Sequence, residues 1–403
     1  MTDSRVQNKH RILSVWIMAC GLLYTFIYQF RLPFKADLFL YGMLAGLVAM
    51  TFFYGYIVIN KQVLLFVLID ICALAGLMYT TNFSEGLRET ILFVFFSGVF
   101  VFSYENASFI KLFTKWIYLV SAAVVISCII HFAAPGWFNG IMAGLMRPNA
   151  YEQLIWSYTV DNTFAGIAAY TSNATFSAAV VFGNSFLNIT NKNEQPIIKN
   201  KVVNIVLLVL SLFTIIICSK RGIFIATIVA TVVLMFYLYR KNAFVLKFFS
   251  VAILFILALA VLYQINDYVA AFIDRFMTDD LLTGRDTIYD SLMTDFFNGN
   301  ILTGKGTAAT YKLADKGAHN IYLQILYDHG ALFSMPYYIF LIYNYYLAFK
   351  NKCPISIFVQ TMFLVYGLSG NPLYSNMFMI IYIYYVLYSS KAYLWNDRKP
   401  ETE

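Results

Sequence analysis

Apolar runs of roughly 17–22 residues, parted by short polar breaks, fill most of this chain, and a run of that length crosses about 30 Å of hydrocarbon as a helix. Twelve spans are predicted, at about 12–30, 38–59, 63–79, 87–104, 117–134, 164–187, 202–218, 222–239, 248–265, 331–349, 354–369 and 377–393. Three carry polar interruptions. The fourth has a short uninterrupted core at 91–102, the sixth contains Thr171-Ser172-Asn173-Ala174-Thr175, and the eleventh is short and ends in Gly370-Asn371-Pro372. The first run follows a basic start but lacks a small-residue cleavage site, so it is expected to stay as a span. No internal repeat or low-complexity linker divides the chain, which predicts one polytopic membrane domain over 1–403.

Composition agrees with the pattern. Apolar residues make up 60% and charged residues 12%, against about 25% charged in a soluble domain. The charge distribution then orients the spans. With the N-terminus inside, 17 of the 28 Lys and Arg residues fall on inner segments. Five of the other 11 lie in one long loop. Both termini are therefore expected in the cytoplasm, with Arg31 and Lys35 as exceptions on the outer side. One large outer loop is predicted at 266–318 and a second outer segment at about 135–162. The net charge of +7 reads as a membrane-orientation signal, since no basic cluster with interleaved aromatics points to nucleic acid. Cys20, Cys72, Cys128, Cys218 and Cys353 are scattered singly, without metal spacing, and are expected to pack as small buried hydrophobes.

Three polar features gather on the predicted outer face. Ser219-Lys220-Arg221-Gly222 is a tight break between two apolar spans. Arg221 either snorkels to headgroups or presents its planar fork of donors to phosphate. Leu282-Thr283-Gly284-Arg285-Asp286-Thr287-Ile288-Tyr289-Asp290 opens a stretch in which Ile288, Leu292 and Phe296 recur at helical spacing. That spacing predicts a short amphipathic helix, with Thr283 as N-cap and Arg285 near its start; Arg285 is either solvated beside an acid or a ligand. Ala318-His319-Asn320-Ile321 precedes a helical run that also holds His329. From spacing alone, His319-Asn320 caps a membrane helix, and His329 lies about 15 Å further along and on another face. Gly299-Asn300-Ile301-Leu302-Thr303-Gly304-Lys305-Gly306 nearly spells a phosphate-cradling loop. It lacks the Ser or Thr that would hold magnesium and follows no strand, so an ATPase is rejected.

In chain order these features resemble the O-antigen polymerase and O-antigen ligase superfamily of integral-membrane glycosyltransferases. The parts that match are Gly166-Ile167-Ala168-Ala169-Tyr170-Thr171-Ser172-Asn173-Ala174, Ser219-Lys220-Arg221-Gly222, Gly284-Arg285-Asp286-Thr287-Ile288-Tyr289 and Gly304-Lys305-Gly306, followed by His319-Asn320-x-x-Leu323-x-x-Leu326-x-x-x-Gly330. The similarity covers about 164–330, while the first five spans match in hydropathy alone. The chain departs from the family in having Ala331-Leu332-Phe333-Ser334 where a second glycine often follows, and in lacking an arginine–ten–glycine spacing.

The resemblance implies an all-α integral membrane fold of about 12 transmembrane helices, GT-C-like, with one large extracytoplasmic loop. It implies a capsular or exopolysaccharide repeat-unit polymerase, which moves an undecaprenyl-diphosphate-linked glycan onto a sugar hydroxyl of another lipid-linked unit, inverting and without metal or cofactor. His319 would act as base, with an ordinary imidazole pKa of about 6.5. Arg221 and Arg285 would hold the diphosphate. Asn320, as cap, and Tyr289, Asp290, Arg147 and Arg88 are further candidate substrate contacts, with Asp290 the reserve base. The implied partners are the lipid-linked donor and acceptor, membrane lipid and a chain-length regulator, at the bacterial cytoplasmic membrane with the site outside.

A ligase using a lipid acceptor stays open. So does a flippase for lipid-linked sugars, although Asp70 is the one clear mid-span acid and paired repeats are missing. A membrane-bound acyltransferase would need its histidine on the cytoplasmic side.

Overall fold

Where water is absent, backbone N–H and C=O groups have to pair within their own segment, so apolar runs become helices. The computed structural model describes residues 2–54, 59–104, 107–190, 196–239, 285–314 and 317–391, with isolated positions between 257 and 274. Every regular element among the described residues is helical. The helices are α1 (Thr2–Gln29), α2 (Ala36–Tyr54), α3 (Lys61–Leu77), α4 (Phe83–Ser103), α5 (Ala107–Ala133), α6 (Pro135–Leu145), α7 (Pro148–Thr159) and α8 (Thr171–Ile189). They continue as α9 (Lys201–Ile217), α10 (Arg221–Leu238), α11 (Arg285–Phe297), α12 (Thr310–Leu313), α13 (Ile321–Phe333), α14 (Met335–Lys350), α15 (Pro354–Tyr366) and α16 (Asn376–Ser390). The predicted ninth span, most of 266–284 and the proposed cap Thr283 lie outside the described residues.

Among the described residues, three stretches are long and apolar enough to cross a membrane: Ile12–Gln29, Ala107–Ala133 and Arg221–Leu238. Shorter apolar helices accompany them, among them Lys201–Ile217 and Pro354–Tyr366. Chain neighbours pack in pairs, α1 on α2, α3 on α4 and α8 on α9, while α10 lies along the distant α15. Helix α16 is apolar all round and buried from Met377 to Ser390, as expected of a helix enclosed by others. Polar side chains tie the bundle across long chain distances. Gln62 Nε2 donates to Asn344 Oδ1 (2.5 Å), Ser390 Oγ donates to Gln62 Oε1 (3.0 Å), and Gln29 Nε2 donates to Ser177 Oγ (2.8 Å). All five cysteines are buried.

Two predicted spans change shape. The sixth is not a helix from residue 164. Gly166 (φ 56°) and Ala169 (φ 61°) turn the chain in the left-handed region, a short 3-10 turn spans Gly166–Ala168, and α8 begins at Thr171. A side chain at Gly166 would collide with Ser127 and Cys128 of α5, so the turn is pressed against that helix. Thr171, Asn173 and Thr175 are consequently buried inside the bundle rather than facing lipid. The eleventh span stops as a helix at Tyr366, three residues short, and residues 367–371 form a loop. Arg31, the exception in the charge count, is buried with its guanidinium 4.5 Å over the Tyr28 ring and 4.7 Å over the Tyr170 ring. Ring faces hold this cation, which is why it sits against the orientation rule.

The glycines of 299–306 serve packing. Gly304 (φ 73°) and Gly306 (φ 98°) bring this segment against α13 where that helix kinks at Gly330 (φ 67°, ψ −179°). Lys305 N donates to Tyr327 O (3.0 Å), Gly306 N to Asp328 O (2.9 Å) and Ala331 N to Ile301 O (2.8 Å). The same segment then ties to the end of α3, where Thr307 Oγ1 donates to Ala73 O (2.8 Å) and Thr80 Oγ1 donates to Thr307 O (2.7 Å). Lys305 itself pairs with Asp295 (3.0 Å). A side chain at Gly330 would strike Leu302 and Gly304 in a backbone region that L-residues avoid. Gly330→Ala is therefore expected to destabilise the protein by about 2 kcal/mol or more, read as a lower unfolding temperature in detergent. An unchanged temperature would contradict this packing.

Candidate active site

Three helices begin around the short loop 367–371. The first is α13. Asn320 stands at its N-cap in extended conformation, and its Oδ1 accepts from Tyr322 N (3.0 Å) and Leu323 N (3.1 Å). Two of the N–H groups that a helix start leaves unpaired are satisfied in this way. The next free N–H, that of Ile321, donates to Gly367 O (2.8 Å), and the Tyr322 hydroxyl donates to Leu364 O (2.7 Å). His319, half-buried, precedes the cap with φ 52°, an uncommon conformation for a residue with a side chain.

The second is α11, the amphipathic helix expected from Ile288, Leu292 and Phe296. Leu292 and Phe296 are buried, in a cluster with Ala309, Ala318 and Tyr327 that Ile288 joins from its edge. Each large apolar side chain so buried contributes about 1.5–3 kcal/mol. Asp295 steadies the far end of α11. It accepts from the Tyr327 hydroxyl (2.6 Å), and that bond, then Lys305, holds its carboxyl below the usual carboxylate range. At the near end, half-buried Arg285 is the first residue of the helix, and its Nη1 donates to Ser369 O (2.9 Å). One turn on, the Tyr289 hydroxyl donates to His319 O (3.5 Å). Burial pushes the Tyr289 hydroxyl up, while the Arg285 guanidinium and a hydrogen bond with Asn320 oppose that shift.

The third is α10, whose first residue is Arg221, also half-buried. Ser219 turns the chain into it at φ 55°. Gly222 lies so close to Ser369 and Tyr366 that a side chain there would collide with Ser369. One loop residue thus touches both arginine-bearing helix starts. The structure brings Arg285, Tyr289, His319 and Asn320 together, and packs the start of α10, which carries Arg221, against the same loop. Helix starts carry about half a positive charge each, so the two guanidinium groups and the starts of α10 and α11 make an electropositive surface suited to phosphate.

The other predicted contacts lie elsewhere. Asp290 is exposed on α11. Arg147 is the N-cap residue just before α7, where its N–H donates to Arg31 O (3.1 Å). Arg88 is largely exposed on α4 and pairs with Glu85 (3.2 Å). His329 is fully buried and packs as expected, stacked on Tyr337 with its Nε2 3.0 Å from the hydroxyl. Among the described residues no group of acids, cysteines and histidines has the arrangement of a metal site. Sequence reasoning missed the 367–371 loop, whose one signal was Gly370-Asn371-Pro372 at the end of a short span. It also passed over Glu89, a buried acid near the start of α4.

Residues 206–333 match the family model described as O-antigen ligase. The matched stretch contains Arg221, Arg285, Tyr289, His319 and Asn320 and ends with α13, leaving out the 367–371 loop. No curated protein matches the chain. The family match supports the O-antigen ligase and polymerase superfamily and an enzyme role of that type. With the apolar helices, it points to a membrane protein.

The cap geometry has a direct consequence. Asn320→Ala removes the acceptor for two N–H groups and is expected to cost about 1 kcal/mol. Asn320→Asp keeps an acceptor and should unfold within a degree or two of the parent by the ~1 kcal/mol scale of a cap. Equal losses in the two variants, by thermal unfolding in detergent, would contradict the cap.

Proposed function

We propose that the chain is a membrane glycosyltransferase that polymerises glycan repeat units carried on undecaprenyl diphosphate. The observation that carries this reading is the gathering of Arg221, Arg285 and His319 around one loop at the helix starts. In this reading the chain has about twelve spans in a GT-C-like arrangement. Both termini lie in the cytoplasm, and the site, with the 266–318 loop, lies outside.

The chemistry follows from the groups present. An acceptor hydroxyl oxygen attacks the anomeric carbon of the donor glycan. The bond from that carbon to the diphosphate oxygen breaks, and its electron pair leaves with the diphosphate. Arg221 and Arg285, with the N-terminal ends of α10 and α11, stabilise the charge that develops there, already oriented before the reaction. The hydroxyl proton passes to the imidazole of His319. Attack opposite the leaving group inverts the anomeric centre. Tyr289 and Asn320 keep His319 and Arg285 in register across the gap between α11 and α13.

A ligase would use the same donor chemistry with a different acceptor, and the family description favours keeping that reading in view. The two separate in cells. His319→Ala, produced at the parent's level in a deletion strain, is expected to leave lipid-linked single repeat units and no long chains. Full-length polymer that is not transferred to its lipid acceptor would indicate a ligase. Normal long chains would remove His319 from the reaction.

A further inference from the structure

A polymerase joins two lipid-linked glycans, so a diphosphate site is half of what it needs. The second half has to recognise a sugar and a lipid at once. A cleft of about 760 Å³ between α2 and α4 has that double character. Its wall along α4 changes with depth. Ser84, Glu85 and Arg88 lie in the first turns, and Ile91, Leu92 and Phe95 follow, a change spread over about 15 Å of helix at 1.5 Å per residue. Tyr41 of α2 closes the apolar part, edge-on to Phe95 at 5.6 Å. Asn82, Tyr311, Tyr374 and Asn376 line the polar part. Aromatic rings beside amide groups suit sugar, whose faces are apolar and whose edges carry hydroxyls.

The floor of the polar part lacks partners. Glu89 lines the cleft and is 5% exposed, yet neither carboxyl oxygen has a hydrogen-bond partner. The Tyr311 hydroxyl faces it without reaching hydrogen-bond geometry. The Tyr374 hydroxyl is likewise buried and unpaired. Unpaired buried polar atoms are costly, and hydroxyl donors from a ligand would satisfy them. Side-chain contacts link the cleft to the candidate site. The Tyr311 hydroxyl lies beside Gln324 as well as Glu89, and Gln324 Oε1 accepts from Ala318 N (3.3 Å), the residue before His319. From His319 the contacts continue through Tyr289 to Arg285.

We propose that this cleft binds the acceptor, a glycan carried on an isoprenoid lipid. Its sugar lies over Glu89 and Tyr374, and its lipid runs along Ile91 and Phe95. The acceptor hydroxyl then approaches His319 from the α4 side, while the donor diphosphate is held on the other side by Arg221 and Arg285. This inference rests on the glycosyl-transfer reading above and adds to it a second substrate site.

The test uses the full chain in lipid nanodiscs and lipid-linked single repeat units extracted from cells lacking the gene. A benzophenone amino acid replaces Asn82 or Ile91 in turn, with exposed Leu119 of α5 as a control position. Crosslinks to the lipid-linked repeat are expected at Asn82 and Ile91, and to phospholipid alone at Leu119. In turnover, Glu89→Gln replaces one carboxyl oxygen with an amide NH2 that cannot accept a sugar hydroxyl, and is expected to raise KM for the single-repeat substrate about tenfold. KM for long-chain donor should stay unchanged, which a general loss of structure would not allow. Phospholipid crosslinks alone at Asn82 and Ile91, in protein that still elongates chains, would overturn the cleft and leave the transfer reading standing. Protein that neither elongates chains nor crosslinks the repeat would overturn both.

Discussion

A helix that stops inside a bundle leaves its last carbonyls with no intrahelical donor, and in a low-dielectric setting they have to be met from the side. Helix α15 stops at Tyr366, and the architecture of one end of the molecule follows from that stop. Leu364 O accepts from the Tyr322 hydroxyl, Gly367 O from the N–H that opens α13, and Ser369 O from Arg285 at the start of α11. These three acceptors, one in the last turn of α15 and two in the loop after it, are each matched by a donor from the start of another helix, while loop N–H groups meet Phe363 O, Val365 O and Tyr366 O. The pairing that completes the backbone also brings Arg285 to the helix start that follows His319, and Gly222 packs the start of α10, with Arg221, against the same loop. Structural need and candidate chemistry coincide at a few atoms, so the arrangement is hard to relax without losing both.

A second constraint works behind the first. The kink at Gly330 accepts the 299–306 segment, which in turn grips the end of α3 through Thr307. This clamp fixes α13 from its far end, while Asn320 and Gly367 fix it at its start. Tyr327 and Asp295 join α13 to α11 between the two. His319 thus lies at the head of a short helix held on several sides. Its own strained backbone conformation is of the kind that persists when the surroundings over-determine it.

Much of this was legible in the sequence because the signals are local. Apolar run length locates the helices, the Ile288-Leu292-Phe296 spacing reveals α11, and an asparagine ahead of an apolar run marks the start of α13. The separation of His319 from His329 follows from helical rise alone. The parts that escaped depend on distance in space. Ser369 acts through a backbone carbonyl, which any residue type supplies, so no side-chain pattern announces it. Glu89 is one acid within a predicted span, and its significance comes from Tyr311 and Tyr374, more than two hundred residues away. The sixth span misled because the Gly166 turn is forced by the closeness of Ser127 and Cys128, a tertiary contact without a local signature. The long apolar runs also left open which helix lies innermost, and α16 holds that place by packing.

The central claim is that Arg221 and Arg285 act on one diphosphate. A double-mutant cycle tests it, using undecaprenyl diphosphate binding to the parent, Arg221→Ala, Arg285→Ala and the double variant in nanodiscs. Two arginines on the same diphosphate predict a coupling of about 1 kcal/mol or more, with the double variant losing less affinity than the summed single losses. Losses that add within about 0.5 kcal/mol, as for independent sites, or binding unaffected by either change, would contradict the account.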